Sequence, residues 1–101
     1  MIKRVGILVG GGSLGLGREV MPMEVMERNN LNLLICGDIT EWTVVQYVRD
    51  AAQLGMDRSM IQLGHEKTEE PGMKYLPLLL RKYIRNIPVT FIDSEEPYTY
   101  Y

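Results

Sequence analysis

The sequence has little cysteine, histidine, tryptophan or phenylalanine. Its 101 residues include one cysteine, one histidine, one tryptophan and one phenylalanine. A single cysteine, Cys36, excludes a disulfide framework within the chain and a Cys-x-x-Cys zinc site. Its place in an apolar run predicts a buried thiol in a reducing compartment, and we therefore expect a cytoplasmic protein.

Long apolar runs and a strong charge of one sign are also lacking. No segment approaches the roughly 20 apolar residues that span a bilayer, and the first short run ends in glycines without a signal-peptide cleavage site. The formal net charge is −2 and the basic residues are scattered, unlike the clustered cations of a nucleic-acid-binding surface. We expect neither a membrane anchor nor a nucleic-acid partner.

The length of the chain predicts one domain over residues 1–101. Four short apolar runs without alternation are typical of strands buried on both faces of a sheet. These predicted strands are residues 5–9, 31–35, 59–63 and 88–92. Segments with helical spacing separate them: residues 19–28, 40–54 and 73–83. The pattern predicts an α/β fold in three layers, with a mostly parallel four-stranded sheet, helices on its faces and the order β-α-β-α-β-α-β.

Polar features follow the first three predicted strands, at the sheet end where ligands of parallel sheets bind. After the first strand, residues 10–15 fit the G-x-G-x-x-G pattern, which predicts an anion- or nucleotide-binding loop at Gly10, Gly11, Gly12 and Ser13. The other interpretation is a turn that allows close approach of another backbone. A P-loop is excluded because no Lys-Ser/Thr pair follows.

Two carboxylates follow the second predicted strand. Asp38 and Glu41 have the spacing of an N-cap residue and the third residue of a helix, so capping explains them. The alternative is a role in a pocket, because both would face the same sheet end. We expect Trp42 to pack into the core.

The only histidine, His65, lies four residues before Glu69, after the third predicted strand. Imidazole and carboxylate are the start of a divalent metal site, although such sites normally take three or four protein ligands. The structural alternative is a histidine bonded to backbone, with Glu69 favoured by the positive end of a helix that Pro71 helps to start.

Several segments together resemble one protein family. They are Ile-Cys-Gly-Asp-Ile-Thr-Glu at 35–41, Ala-Ala-Gln-Leu-Gly-Met at 51–56, Leu-Gly-His through Pro-Gly at 63–72, and Val-Thr-Phe-Ile-Asp at 89–93. The chain resembles the carboxy-terminal half of the NGG-interacting-factor-three-like proteins, also called the GTP cyclohydrolase I type 2-like family. Gly-His-x-x-x-Glu and the Gly-Asp block are the most specific parts of this resemblance.

The resemblance implies a dinuclear metal centre, ring-like homo-oligomers and a metal-dependent hydrolase activity on a small molecule. By position, His65 and Glu69 are the ligands of this half, for zinc, iron or manganese, which nitrogen and oxygen ligands suit alike. The other family ligands belong to an amino-terminal half, so a second copy or a partner chain would complete the site. Two other functions remain open: a non-catalytic nucleotide- or anion-binding module, and an oligomeric structural subunit with a vestigial site.

Overall fold

The computed structural model describes residues 1–11, 18–99 and 101. The chain divides into two compact units, Met1–Glu69 and Glu70–Tyr101. The described elements in chain order are β1 (Val5–Gly11), α1 (Met21–Arg28), β2 (Leu33–Asp38), a kinked helical segment (Glu41–Val45), α2 (Gln46–Gln53), β3 (Ser59–Gln62) and α3 (His65–Leu80). This is a small α/β fold, as the sequence predicts.

The first unit is built on a parallel sheet of three strands in the order β1-β2-β3. One face of the sheet carries the hydrophobic core, because side chains of β2 point there in alternation. The buried core residues are Met26, Leu31, Leu34, Cys36, Ile39, Val44 and Val48. Cys36 is fully buried, which confirms the predicted buried thiol, and this burial raises the pKa of the thiol.

The opposite face of the sheet is exposed at its two edge strands. Val5, Ile7 and Val9 of β1 and Ile61 of β3 are all among the exposed large apolar side chains, and Ile7 retains 72% of its accessible surface. Burial on both faces is therefore wrong for β1 and β3. An apolar run indicates a strand but carries no information about which face receives a covering helix.

The helices begin and end at other residues than the spacing predicts, and proline explains two of the differences. Pro22 lies in the first turn of α1, where its missing N–H costs nothing, so the helix begins at Met21. Pro71 lies inside α3 rather than at its start, and this helix begins at His65. The expected helix over 40–54 is broken at Thr43, whose φ of −108° and ψ of −110° are not helical. Trp42 is 70% exposed, so the predicted core position is wrong.

The second unit contains the rest of α3 and the residues after it. The Lys74 ammonium lies 5.6 Å from the centre of the Phe91 ring and 3.7 Å from an Asp93 oxygen. Residues 88–92, predicted as a fourth strand, form no strand in the described structure, and the sheet has three strands. Apolar composition predicts burial but not a pairing partner, and Pro88 has no N–H to donate to a ladder. In the part of the chain that the structure describes, no helix combines the length and apolarity needed to cross a membrane.

Candidate metal centre

Three neighbouring strand ends bring the candidate residues together within the first unit. β1 ends at Gly10 and Gly11, and Gly11 is paired with Asp38, the last residue of β2. After β3 the chain passes through Gly64, which has a φ of +94°. The next residue, His65, is the first residue of α3. The predicted convergence of polar features at one end of the sheet is therefore confirmed for these strand ends.

The His65 imidazole lies between two carboxylates. Its Nδ1 atom is 3.4 Å from Asp38 Oδ2, and its Nε2 atom is 3.2 Å from Glu69 Oε1. His65 and Glu69 are four residues apart on α3, so one turn of helix places them on the same face. All three side chains are about half exposed, and a ligand in solution can reach them.

The donor atoms fit a divalent metal. Two atoms that bind the same zinc ion at about 2.0–2.2 Å lie about 3 to 3.5 Å apart, which matches the Nε2 to Oε1 separation at His65 and Glu69. Asp38 on the other ring nitrogen is the carboxylate that commonly fixes the tautomer of a metal-binding histidine. An imidazolium ion paired with both carboxylates would satisfy the same distances.

Gly10 packs directly against the donor atoms. Its φ is +73°, and a Cβ added there would lie 2.7 Å from Glu69 Oε1 and 3.3 Å from His65 Nε2. Both side chains therefore approach the Gly10 backbone more closely than a residue with a Cβ would allow. Close approach is the structural interpretation of the glycine-rich loop, and the geometry at Gly10 agrees with it.

The two carboxylates after β2 have different surroundings. Asp38 closes the strand and faces His65, whereas the N-cap position of the following helical segment is Thr40, which makes no capping bond with its side chain. The capping interpretation of Asp38 is therefore wrong. Glu41 is exposed in the first turn of that segment, where a carboxylate complements the helix dipole.

The predicted anion-binding loop is only partly described. Gly12 and Ser13 lie outside the described residues. At Gly10 the backbone N–H donates to the Thr68 hydroxyl at 2.8 Å, so it is not free for an anion. The carboxylate of Glu69 close to Gly10 would also repel a negative ligand. The described half of the loop therefore suits a cation better than a phosphate.

Two residues at this site, Thr68 and Gly37, are not predicted from the sequence. Thr68 bonds to both β1 and α3, and Gly37 lies so close to β1 that an added Cβ would be 2.2 Å from the Gly10 carbonyl oxygen. A hydroxyl three residues after the start of a helix is a known signal of a bond back to the first turn, and it could have pointed to Thr68. No signal of short range could reveal the contact between Gly37 and Gly10.

Comparison with known proteins gives no relative. No protein-family model, no curated protein and no solved structure matches the chain.

Proposed function

We propose that this chain binds a divalent metal through His65 Nε2 and Glu69 Oε1. One observation supports the proposal most strongly: the two donor atoms are 3.2 Å apart, and both pack against the backbone of Gly10, which fixes their positions. In this proposal Asp38, 3.4 Å from Nδ1, holds the proton on that nitrogen, which leaves the Nε2 lone pair toward the metal.

The proposed chemistry is hydrolysis of a small molecule. A divalent metal, when bound, lowers the pKa of a coordinated water and so supplies a nucleophile near neutral pH. The chain's own residues hold the metal and orient the imidazole, and the half-exposed position of the site gives a substrate access. Nitrogen and oxygen donors are compatible with zinc, iron or manganese.

A second chain completes the site in this proposal. Catalytic zinc sites use three protein ligands and structural sites four, whereas His65 and Glu69 supply two. The family resemblance supports the same conclusion, because it places the remaining ligands in an amino-terminal half. We propose that either another copy of this chain or a partner carrying that half supplies them.

The resemblance also guides our proposal for the segment after α3. Val89 and Phe91 are half-buried while Thr90 and Ile92 are exposed, an alternation typical of a strand with one buried face. We propose that residues 88–92 become the fourth strand of the family's sheet when a partner supplies an edge.

The free and buried Cys36 suits a reducing compartment, and we propose the cytoplasm.

Elemental analysis by plasma mass spectrometry tests the metal proposal. We expect untagged protein, alone or with its partner, to retain metal that His65→Ala and Glu69→Gln lose. Glu41→Gln removes a nearby exposed carboxylate that has no place in the site, and it should retain the metal. Equal metal content in all four proteins would contradict the assignment of His65 and Glu69.

An oligomeric structural subunit is the second candidate, and the exposed face of the sheet favours it. Val5, Ile7 and Val9 form an apolar row along β1, and such rows often mark contact surfaces between chains. We propose that a second copy covers this row. Light scattering that gives the mass of one chain at micromolar concentration would exclude this role.

A further inference from the structure

The Thr68 side chain links two backbone segments of the site, the end of β1 and the first turn of α3. Its hydroxyl oxygen accepts a hydrogen bond from the Gly10 N–H at 2.8 Å and donates one to the His65 carbonyl at 2.8 Å. Gly10 and Thr68 are 58 residues apart in sequence, so this contact links β1 to the first turn of α3. A single hydroxyl thus uses both its donor and its acceptor capacity on backbone groups.

The surroundings of Thr68 are closely packed. A Cβ added to Gly37 would lie 2.9 Å from the Thr68 hydroxyl and 2.2 Å from the Gly10 carbonyl oxygen. The end of β2 therefore passes against the Thr68 hydroxyl and the carbonyl of Gly10. The hydrogen bond from the Gly10 N–H is half-buried, so loss of the hydroxyl would exchange a fixed protein partner for mobile water and remove the link between the two segments.

We infer that Thr68 is the positioning residue of the metal site. It touches no metal itself, but it sets the distance between the backbone of Gly10 and the turn of α3 that carries both ligands. The carbonyl that accepts the Thr68 hydrogen bond belongs to His65, and Glu69 directly follows Thr68 in the sequence. The positioning role rests on the proposed metal site, whereas the two hydrogen bonds are features of the structure itself.

Thr68→Val removes the hydroxyl and keeps the shape of the side chain, and Thr68→Ser keeps the hydroxyl. We expect Thr68→Val to weaken Zn²⁺ binding about tenfold or more, the usual effect of losing a group that orients a ligand, as measured by calorimetric titration. Thr68→Ser should bind within about threefold of the parent, because one methyl group contributes little to this geometry.

Ser59→Ala is the matched control. It deletes a hydroxyl that donates to the Asn32 carbonyl at 3.0 Å at the opposite end of β3, so its Zn²⁺ affinity should equal that of the parent. Where Thr68→Val does not fold, Thr68→Cys replaces it, because a thiol is a weak donor and acceptor and should cause a smaller loss in the same direction. Parental affinity in a folded Thr68→Val protein would overturn the inference.

The sole histidine separates this inference from the metal proposal. Metal-free protein labelled with ¹⁵N gives one set of imidazole signals, and these report the surroundings of His65 without any ligand. We expect Thr68→Val to shift these signals and Ser59→Ala to leave them unchanged. If parent protein fails to bind Zn²⁺ but the signals shift, the metal proposal alone fails; unshifted signals would refute the positioning role.

Discussion

Asp38 and Glu41 show how two carboxylates three residues apart can have different roles. Asp38 Oδ2 lies 3.4 Å from His65 Nδ1, while Glu41 is exposed at the start of the next helical segment. The difference arises because the strand continues through Asp38 and the chain turns only at Thr40. Asp38 therefore lies beside the His65 ring, whereas Glu41 remains in solvent.

This contrast gives a matched pair of substitutions. We expect Asp38→Asn to weaken Zn²⁺ binding about tenfold or more, because an amide holds the required imidazole tautomer less firmly than a carboxylate. Glu41→Gln changes the charge equally and should leave the affinity unchanged. Calorimetric titration measures both, and an equal loss in the two variants would show a general charge effect instead of orientation of His65.

Two glycines with similar backbone angles separate strain from a specific effect on the site. Gly10 has φ +73° beside Glu69 and His65, and Gly55 has φ +77° with no atom within 4 Å of an added Cβ. We expect alanine at either position to cost about 1–2 kcal/mol of unfolding free energy, the penalty of the left-handed conformation. Only Gly10→Ala should also abolish Zn²⁺ binding.

Denaturant unfolding and Zn²⁺ titration of both alanine variants check this prediction. Gly55→Ala serves as the control for backbone strain alone. Retained Zn²⁺ binding in Gly10→Ala would mean that close packing of the two donors against Gly10 is not required for binding.

At the scale of the elements, β1 and β2 differ in what their side chains contribute to stability. Ile7 of β1 is 72% exposed, while Leu34 of β2 is 3% exposed within the core. We expect Leu34→Ala to cost about 2–5 kcal/mol of unfolding free energy, because it leaves a cavity. Ile7→Ala should cost about 0.5 kcal/mol or less, as at other exposed positions.

Urea unfolding of the two variants at a protein concentration where the chain is monomeric measures these costs. A large cost for Ile7→Ala that grows with protein concentration would instead show that a second copy covers β1.

How far the sequence predicts these elements depends on the range of the signal. Apolar runs locate β1, β2 and β3 to within a few residues, since a buried strand needs such a run. The start of α3 is missed because proline is usually a helix breaker, whereas Pro71 lies inside the helix. Trp42 is exposed and directly precedes the break at Thr43, which the helical spacing of this segment does not reveal.

The same distinction between local and long-range signals holds for the candidate site. His65 and Glu69 can be found from their spacing alone, since four residues make one helical turn. The role of Asp38 and the contact between Gly10 and Thr68 depend on residues far apart in sequence. Such contacts exist only after the strands have paired, and periodicity carries no trace of them.

At the scale of the whole molecule, the central claim is that the only imidazole of the chain is a metal ligand. Its two nitrogens face different carboxylates, with Nδ1 toward Asp38 and Nε2 toward Glu69. Two ligands from one chain bind a metal weakly, so partner chains should raise the affinity.

The most direct test is a long-range ¹H–¹⁵N spectrum of the His65 ring in labelled protein during titration with Zn²⁺. We predict that Nε2 changes its chemical shift on addition of the metal, while Nδ1 keeps the proton that it donates to Asp38. Ring signals that stay unchanged at saturating Zn²⁺, or a change confined to Nδ1, would contradict the account.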